Sequence, residues 1–334
     1  MKAYLYEKYG GPEVLELRDV EKPVAGDNEI LIKIYATTVS SADWRARSLE
    51  MPAGFGLIGR LIFGIFSPRN PILGMELAGI IEAVGKDVTK FRIGDEVFAD
   101  TGTGLGGHAE YKTMPEDGPI ALKPAKLGFE QAAALCFGGS TALYFLRDRG
   151  NIQNGEKVLI NGASGTTGTA CVQLARHFGA QVTGICSTGN LELVKSIGAH
   201  KVIDYTCEDF TKNGETYDII VDTAGTAPWL RAKRALNETG RLLLILGGLK
   251  DMLAAPFISR KRGRKIIAGA AFANSDDLRF LADLAEAGKF LPVIDRVYPF
   301  EEMIEAHRHV DTGHKKGSVV ISIDHEDASL DHKP

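Results

Sequence analysis

Residues 158–179, VLINGASGTTGTACVQLARHFG, decide the fold. An apolar run at residues 158–160 is typical of a short buried strand, and Gly162, Gly165 and Gly168 follow at intervals of three before a helical pattern begins. Glycines let the chain leave the strand sharply and bring backbone N–H groups close to a pyrophosphate, towards which the helix points its positive N-terminal end. The stretch therefore predicts the first half of a dinucleotide-binding unit. A glycine turn that only joins strand to helix is the alternative.

The residues around this unit alternate between strand and helix patterns. The predicted strands are 158–161, 181–186, 201–203, 218–221, 241–246 and 265–269. The predicted helices are 129–135, 140–147, 168–178, 190–197 and 228–237. Such alternation predicts a doubly wound parallel sheet with helices on both faces.

The chain before residue 122 has strand patterns instead, which predict a small barrel or curled sheet. These strands are 1–6, 14–19, 29–35, 79–84, 97–99 and 109–112. After residue 270 come a helix at 276–287, a strand at 293–298, a helix at 300–309 and a strand at 317–323, which we expect to return to the first domain. The predicted domains are thus 1–125 with 271–323, and 126–270; residues 324–334 are expected to be a disordered tail.

Composition indicates a soluble globular protein that does not bind nucleic acid. The chain has 334 residues, 44% of them hydrophobic, and a net charge of −4, so it has no electrostatic footprint for nucleic acid. The one basic cluster, residues 260–265, is interpreted as a solvated loop or helix end. The four cysteines form no C-x-x-C pair, and Cys171 and Cys186 fall in apolar patterns that predict buried thiols.

Two segments bear on compartment and surface. The N-terminal MKAYLYEKYG is not a signal peptide, and residues 55–66, the most apolar stretch, are interrupted by Arg60 and too short to span a bilayer. We therefore expect a cytoplasmic protein without a membrane partner. Residues 48–71 form a long connection, of a length that favours a functional lid or a partner surface.

Several short motifs occur in an order and spacing that resemble one enzyme family. They are residues 1–3 (MKA), 74–79 (GMELAG), 94–97 (GDEV), 139–142 (GSTA), 162–168, 196–199 (SIGA) with 202–205 (VIDY), and 317–320 (GSVV). The chain resembles the medium-chain dehydrogenase/reductase superfamily over nearly its whole length, and within it the zinc-free quinone oxidoreductase branch. The resemblance implies a GroES-like β-barrel domain and a Rossmann domain on either side of a cleft.

The resemblance also bears on zinc. Zinc-dependent relatives place ligands at positions that correspond to Ser40, Met75 and Phe137, and none of these side chains is a usual zinc ligand. We therefore expect no metal. Without a Lewis acid, hydride addition to a quinone or an enone is easier than alcohol oxidation, because charge delocalises onto a distant oxygen.

The resemblance implies the following site residues. The catalytic candidates are Ser40, Ser41 and Thr141, with loop packing as the alternative for Ser40 and a helix N-terminal hydroxyl as the alternative for Thr141. The expected cofactor-binding residues are Gly162, Ala163, Ser164, Gly165, Thr166, Thr167, Gly168, Ser187, Thr188, Tyr205, Ala224, Gly225, Leu246, Gly247, Phe272 and Lys315.

The expected cofactor is NADPH. The predicted second strand of the unit runs into Ser187 and Thr188, with no acid before Glu192 to repel a 2′-phosphate. The resemblance places Tyr205 near the same phosphate. Gly189 stands where relatives often carry Arg or Lys, which limits the expected preference.

The implied activity is NADPH-dependent reduction of a quinone or an α,β-unsaturated carbonyl. Two alternatives remain open: a cofactor-binding regulatory or structural protein of the same fold, and an NADP-dependent alcohol or aldehyde dehydrogenase. We also expect a homodimer, because residues 241–246 (RLLLIL) are interpreted as an apolar edge strand that needs a cover.

Overall fold

The computed structural model describes residues 1–261 and 263–325, with the side chains of 259–262 excepted. In chain order the strands are β1 (Lys2–Leu5), β2 (Glu16–Asp19), β3 (Glu29–Val39), β4 (Glu76–Val84), β5 (Glu96–Asp100), β6 (Tyr111–Pro115), β7 (Ile120–Leu122), β8 (Lys157–Asn161), β9 (Gln181–Cys186), β10 (Lys201–Asp204), β11 (Tyr217–Asp222), β12 (Leu236–Leu244), β13 (Lys265–Ala268), β14 (Ile294–Pro299) and β15 (Ser318–Ser322).

The helices pack around these strands. They are α1 (Ser41–Ser48), α2 (Gly56–Phe63), α3 (Phe129–Ala133), α4 (Cys136–Leu143), α5 (Thr166–His177), α6 (Leu191–Ser196), α7 (Trp229–Ala232), α8 (Leu249–Lys261), α9 (Ser275–Glu286) and α10 (Met303–Asp311). A π-helical stretch, Tyr144–Arg149, extends α4.

The middle of the chain folds into a parallel sheet with strand order β10-β9-β8-β11-β12-β13. This is the order of a doubly wound dinucleotide-binding fold, with β8 and β11 meeting where the direction of winding reverses. Its inner strands are apolar on both faces: Val158, Leu159 and Ile160 of β8 are all fully buried. The Rossmann architecture predicted from residues 158–179 is confirmed.

The two ends of the chain share a second, mixed sheet. Its order is β14-β15-β3-β4-β5-β7, with β6 also paired to β3. β15 lies between β14 and the long strand β3, and Val319 of β15 pairs with Val39 of β3. Residues near the C-terminus therefore complete the sheet that residues near the N-terminus begin, and one apolar core joins them. The boundaries at 125, 270 and 323 stay predictions.

The prediction that residues 241–246 form an edge strand is wrong. β12, which contains most of residues 241–246, is hydrogen-bonded on one side to β11 and on the other to β13. Its apolar run marks a strand covered on both faces and both sides, as Leu242 and Leu243 show by their complete burial. The edge of the parallel sheet on this side is the short β13, and the opposite edge is β10.

Three other local predictions differ from the structure. The helix expected at 228–237 ends after one turn at Ala232, because the chain enters β12 at Leu236. The connection 48–71 contains α2, and the helix α8 follows β12 where none was predicted. Helix α2 has no side-chain cap at its start. At the start of α8 Asp251 accepts from the N–H of Gly248 at 3.0 Å, but this helix holds Pro256 in its interior.

Other predictions concern burial, membranes and the tail. Cys171 and Cys186 are buried as expected. Across 1–261 and 263–325 no helix has the length and apolar character needed to cross a membrane. Asp324 and His325, assigned to the tail, are described, and Nε2 of His325 lies 2.7 Å from the carbonyl oxygen of Ile34. The rest of the expected tail, 326–334, lies outside the described residues.

Candidate active site

The turn between β8 and α5 needs glycine at two positions. Gly162 has φ of +82°, the left-handed region that side chains disfavour. A Cβ on Gly168 would overlap the carbonyl oxygen of Gly162 and lie 2.9 Å from Cα of Ala163, so glycine here lets α5 pack against the turn. Gly165 differs, because a Cβ there would meet only the Gly162 oxygen, at 3.8 Å. Gly165 therefore borders open space at the start of α5.

A cavity of about 580 Å³ lies over this helix N-terminus. It brings together most of the predicted cofactor residues and one catalytic candidate: Gly162, Ser164, Gly165, Thr166, Thr167, Gly168, Ser187, Tyr205, Ala224, Leu246, Lys315 and Ser41. Asn190, which sequence reasoning did not select, also lines it and donates from Nδ2 to Ser164 Oγ at 3.1 Å and Ser187 Oγ at 3.2 Å. Asn190 thereby ties the glycine turn to the end of β9.

Five predicted cofactor residues lie outside the lining of this cavity, and one of them, Phe272, lines a second cavity described below. Ala163 is fully buried, and Gly225 is in the loop after β11. Gly247 would place a Cβ 3.1 Å from Cβ of Leu244. Thr188 is exposed and donates its hydroxyl to Asp204 Oδ2 at 2.6 Å. Sequence position alone does not distinguish these residues from their neighbours that face the cavity.

A second cavity of about 680 Å³ adjoins the first, and Phe137 lines both. Thr141 and Phe272 line the second cavity, together with Met75 and Ser140. Thr141 is six residues into α4, not at the start of its helix as expected. The Ser140 hydroxyl is buried and has no hydrogen-bond partner among the described residues. It is a donor that sequence reasoning missed, although it is adjacent to the selected threonine.

The Ser40 hydroxyl forms hydrogen bonds with the first turn of α1. It donates to Asp43 Oδ2 at 2.6 Å and accepts from the N–H groups of Ala42 and Asp43, both at 3.2 Å, which makes Ser40 the N-cap of α1. Ser40 lines neither cavity, whereas its neighbour Ser41 lines the first. The structure therefore favours loop packing, the alternative stated for Ser40.

Asp222, another residue that sequence reasoning missed, shapes the loop after β11. Its buried carboxylate accepts a hydrogen bond from Asn161 Nδ2 at 2.8 Å and from four backbone N–H groups. Those groups belong to Ala224 (3.2 Å), Gly225 (2.9 Å), Thr226 (3.3 Å) and Ala227 (2.8 Å). Since Thr223 and Ala224 line the first cavity, Asp222 holds one wall of that cavity in place.

Lys315 joins the C-terminal segment to the glycine turn. Its ammonium donates to Thr166 Oγ1 and, at 2.8 Å, to the carbonyl oxygen of Gly317, and Thr166 Oγ1 donates to the same oxygen at 2.7 Å. Burial lowers the pKa of Lys315 to about 8, while Glu76 and Asp295 act in the opposite direction. The cation thus lies at the N-terminus of α5, beside the place where a pyrophosphate would bind.

Glu76 is a buried carboxyl behind the two cavities. Its Oε2 accepts from the N–H of Phe137 at 2.7 Å, and Thr38 Oγ1 donates to its Oε1. Burial raises the pKa of Glu76 to about 8, and the hydrogen bonds from Phe137 and Thr38 offset only part of that rise. Glu76 therefore fixes the start of α4 and, through it, the residue that the cavities share.

The raised pKa of Glu76 predicts a pH-dependent effect of the Glu76→Gln substitution. In the unfolded chain the carboxyl ionises near pH 4.5, whereas in the folded chain it keeps its proton up to about pH 8. Its stabilising contribution is therefore full below pH 4.5 and is lost as the pH rises through about 8. Glutamine does not titrate, so the variant gains free energy of unfolding relative to wild type with rising pH, by up to about 1.4 kcal/mol per pH unit.

Urea unfolding at several pH values measures this difference. Glu238→Gln, at an exposed position, is the matched control and should follow wild type throughout. A difference between Glu76→Gln and wild type that stays constant with pH would contradict the assignment.

The residues around the first cavity fit a dinucleotide. Gly165 leaves open the space that any side chain would fill, and no described side chain caps α5, so its first N–H groups face the cavity. Asn190 Oδ1 is buried without a described partner. These free donors, one free acceptor and the adjacent Lys315 match the phosphates and hydroxyls of such a ligand.

Comparison with known proteins gives the family. Residues 26–125 match the alcohol dehydrogenase GroES-like domain, and residues 197–321 match the zinc-binding dehydrogenase family. The quinone oxidoreductase of Sus scrofa is 32% identical over 95% of both chains. The chain belongs to the medium-chain dehydrogenase/reductase superfamily, in its quinone oxidoreductase branch.

Two further proteins are similar to this chain over nearly its whole length. The NADPH-dependent alkenal/one oxidoreductase of Arabidopsis thaliana is 30% identical over 96% of this chain and 79% of its own length. The structure of the quinone oxidoreductase from Coxiella burnetii superposes with a TM-score of 0.86 at 29% identity, covering 97% of this chain and 99% of that one. This medium-chain dehydrogenase/reductase is an oxidoreductase that uses a nicotinamide cofactor, as its sequence motifs implied.

One matched family is described as zinc-binding, but the positions that correspond to zinc ligands hold other side chains in this chain. In this medium-chain dehydrogenase/reductase Met75 and Phe137 line the second cavity and Ser40 caps α1. Hydroxyl, thioether and phenyl groups do not form a zinc site. In the described part of the chain no three His, Cys, Asp or Glu side chains lie close enough together to hold a metal. Independence from zinc stays a prediction.

Proposed function

We propose that the protein reduces a quinone or an α,β-unsaturated carbonyl with NADPH and without zinc. The observation that carries this proposal is the pair of adjoining cavities that share Phe137. One is built around the uncapped N-terminus of α5, and the other combines apolar side chains with the hydroxyls of Ser140 and Thr141. A dinucleotide in the first cavity would meet a flat apolar substrate in the second.

The chain's own residues have three tasks in this reaction. Lys315 and the N–H groups at the start of α5 would hold the pyrophosphate, and Ser41 lies at the same cavity wall. NADPH, when bound, supplies the hydride. The Ser140 hydroxyl, together with that of Thr141, donates to the substrate oxygen as negative charge develops on it. Solvent supplies the proton.

Turnover with defined substrates tests the proposal. NADPH consumption is measured with 9,10-phenanthrenequinone, a simple enone, a primary alcohol with NADP⁺ and an aldehyde. Consumption with the quinone or the enone, and not with the alcohol or aldehyde, supports the proposal. Cofactor binding without consumption across the panel would instead favour the regulatory or structural alternative.

The same assay tests zinc independence. Activity should be unchanged after treatment with a chelator, and elemental analysis should find well under one zinc per chain. Loss of activity that added zinc restores would overturn this part of the proposal.

The preference for NADPH is proposed from the residues near the end of β9. Ser187, Asn190 and Tyr205 line the cavity there. Asn190 Nδ2 already donates to Ser164 and Ser187, so the hydroxyls of Ser187 and Tyr205 are the donors for a 2′-phosphate. The nearest acid at the strand ends is Asp204, whose pKa is lowered by hydrogen bonds from Thr188 and Thr206. Asp204 is therefore charged, and Gly189 provides no cation to a 2′-phosphate, so we expect a preference of roughly tenfold, about the size of one charge-assisted hydrogen bond.

The Ser187→Asp variant should reverse or narrow this preference. A carboxylate at the cavity wall repels a 2′-phosphate, so we expect NADPH affinity to fall about tenfold while NADH affinity changes little. Fluorescence titration with each cofactor measures both. Ser187→Asn, of matched size and no charge, is the control. Equal affinity of the wild type for NADH and NADPH would show the assignment to be wrong.

We also propose that the protein forms a homodimer and is located in the cytoplasm. With β12 excluded as an edge, β13 is the strand that a second copy would cover, and a two-fold pairing of the β13 edges gives a closed assembly. Light scattering at micromolar concentration decides between dimer and monomer.

A further inference from the structure

Helix α2 exposes an apolar surface. Gly59 faces Met51 and Phe63 packs partly against the core of the mixed sheet, so these two residues attach the helix. On the opposite face Leu57 is 72% exposed and Leu61 is 54% exposed. Phe66, just after the helix, is 94% exposed. Among residues 56–63 the one charged side chain is Arg60, so this helix has no polar face to present to water.

Helix α8 likewise has buried apolar side chains on one face and exposed apolar side chains on another. Ala255 is buried and Ile258 packs partly against a core cluster of the parallel sheet, whereas Leu253 is 64% exposed and Phe257 is 75% exposed. The two helices begin side by side, because the N–H of Leu249 donates to the carbonyl oxygen of Ala53 at 2.9 Å. Two helices with exposed apolar side chains are therefore in contact at their N-terminal ends. A surface of this kind marks an interaction site.

The charge of the same two segments is strongly positive. Residues 55–69 and 249–265 together contain eight Lys and Arg and a single acid, Asp251, in a chain whose net charge is −4. Arg60, Arg69 and Lys250 are exposed among the apolar side chains. The segments thus combine the two properties of a helix that lies in a membrane interface, an apolar face and flanking cations.

We propose that α2 and α8 dock on the surface of an anionic lipid bilayer. Leu57, Leu61, Phe66, Leu253 and Phe257 would enter the boundary between headgroups and acyl chains, while the exposed cations Arg60, Arg69 and Lys250 contact lipid phosphates. A second copy of this chain is disfavoured as occupant, since a two-fold contact would place one basic surface against another. The expectation of no membrane partner considered only a spanning segment, and docking needs none.

The location of the surface gives docking a consequence for the cleft. Leu246 lines the first cavity and lies three residues before α8 begins. Docking would therefore hold the cleft near the bilayer, where apolar small molecules concentrate. The docking itself does not depend on the proposed reaction.

Sedimentation with vesicles tests the proposal. Wild-type protein should bind vesicles of phosphatidylglycerol and phosphatidylcholine in equal parts, bind pure phosphatidylcholine at least about tenfold more weakly, and dissociate as salt is raised. The double variant Leu57→Gln/Phe257→Gln should lose at least about tenfold in affinity. Leu230→Gln, 71% exposed but outside the surface, is the matched control and should bind as wild type does.

Two further measurements keep the result interpretable. The unfolding midpoint and the NADPH titration of the double variant should equal those of wild type, since neither residue lines the two cavities of the candidate active site. Binding of the double variant equal to that of wild type, or no binding of wild type to anionic vesicles, overturns the proposal. A concentration-dependent dimer mass that the double variant loses would also overturn it, in favour of self-association.

Discussion

Gly168→Val is expected to lower the free energy of unfolding by about 3 kcal/mol and to abolish measurable cofactor binding. The new Cβ would overlap the Gly162 oxygen and approach Ala163, both of which are backbone groups that cannot rotate away. To relieve the overlap α5 must move off β8, and its N-terminus then no longer faces the cavity. Urea unfolding and NADPH fluorescence titration measure the two effects.

Gly165→Ala is the matched comparison within the same turn. Its φ of −80° suits any residue, and its Cβ would meet nothing closer than 3.8 Å, so the unfolding free energy should stay within about 0.5 kcal/mol of wild type. Its methyl group nevertheless occupies the space beside the helix N-terminus, and NADPH affinity should fall about tenfold. If Gly168→Val were as stable as wild type, the close packing of α5 on the turn would not be a constraint on the fold.

Asp222→Ala is the second substitution with a large expected effect. It leaves four backbone N–H groups and the Asn161 amide without their acceptor, and two of these donors, the Asn161 amide and the N–H of Ala227, are buried. Each unsatisfied buried donor costs about 1–3 kcal/mol, and partial access to water reduces the total, so we expect a loss of about 3–5 kcal/mol. Unfolding by urea measures it.

Two further variants, one conservative at the same position and one at the surface, distinguish the loss of a buried hydrogen-bond acceptor from the loss of any carboxylate. Asp222→Asn keeps one acceptor oxygen and should lose less than half as much stability as Asp222→Ala. Asp276→Ala removes an exposed carboxylate that pairs only with Arg279 at the start of α9, and should change stability by about 0.5 kcal/mol or less. Equal stability of Asp222→Ala and Asp276→Ala would show that the loop does not depend on the carboxylate.

The parts of the fold that the sequence predicted are those with local constraints. The turn at residues 162–168 requires glycine at two positions, one because of its backbone angle and one because of the close approach of other backbone atoms. The spacing of the glycines alone indicates a strand, a turn and a helix. The buried strands β8, β9 and β11 are short apolar runs between turn residues. No such signal predicts that β12 lies inside the sheet. The sequence of an apolar strand does not show whether the strand lies at the edge or has a neighbour such as β13.

The parts of the site that the sequence did not predict depend on tertiary contacts. Ser40 and Ser41 are adjacent and chemically identical, and only the path of α1 makes the first a cap and the second a cavity residue. Asp222 is a single acid after a strand, with partners that no spacing reveals. Helix α2 was missed because its two glycines and its unbroken apolar face are unlike a helix that packs on a core.

The insertion of β15 beside β3 has a consequence for synthesis on the ribosome. Val319 and Val39 pair across 280 positions, whereas the whole parallel sheet lies between residues 157 and 268. At roughly 5–20 residues per second, β3 waits tens of seconds for this neighbour. During that interval β6 already pairs with residues 29–33 of β3, but residues 36–39 on the same side stay unpaired, a short template for pairing with other chains. The parallel sheet can form first, so the domain that begins the chain is the last to be finished.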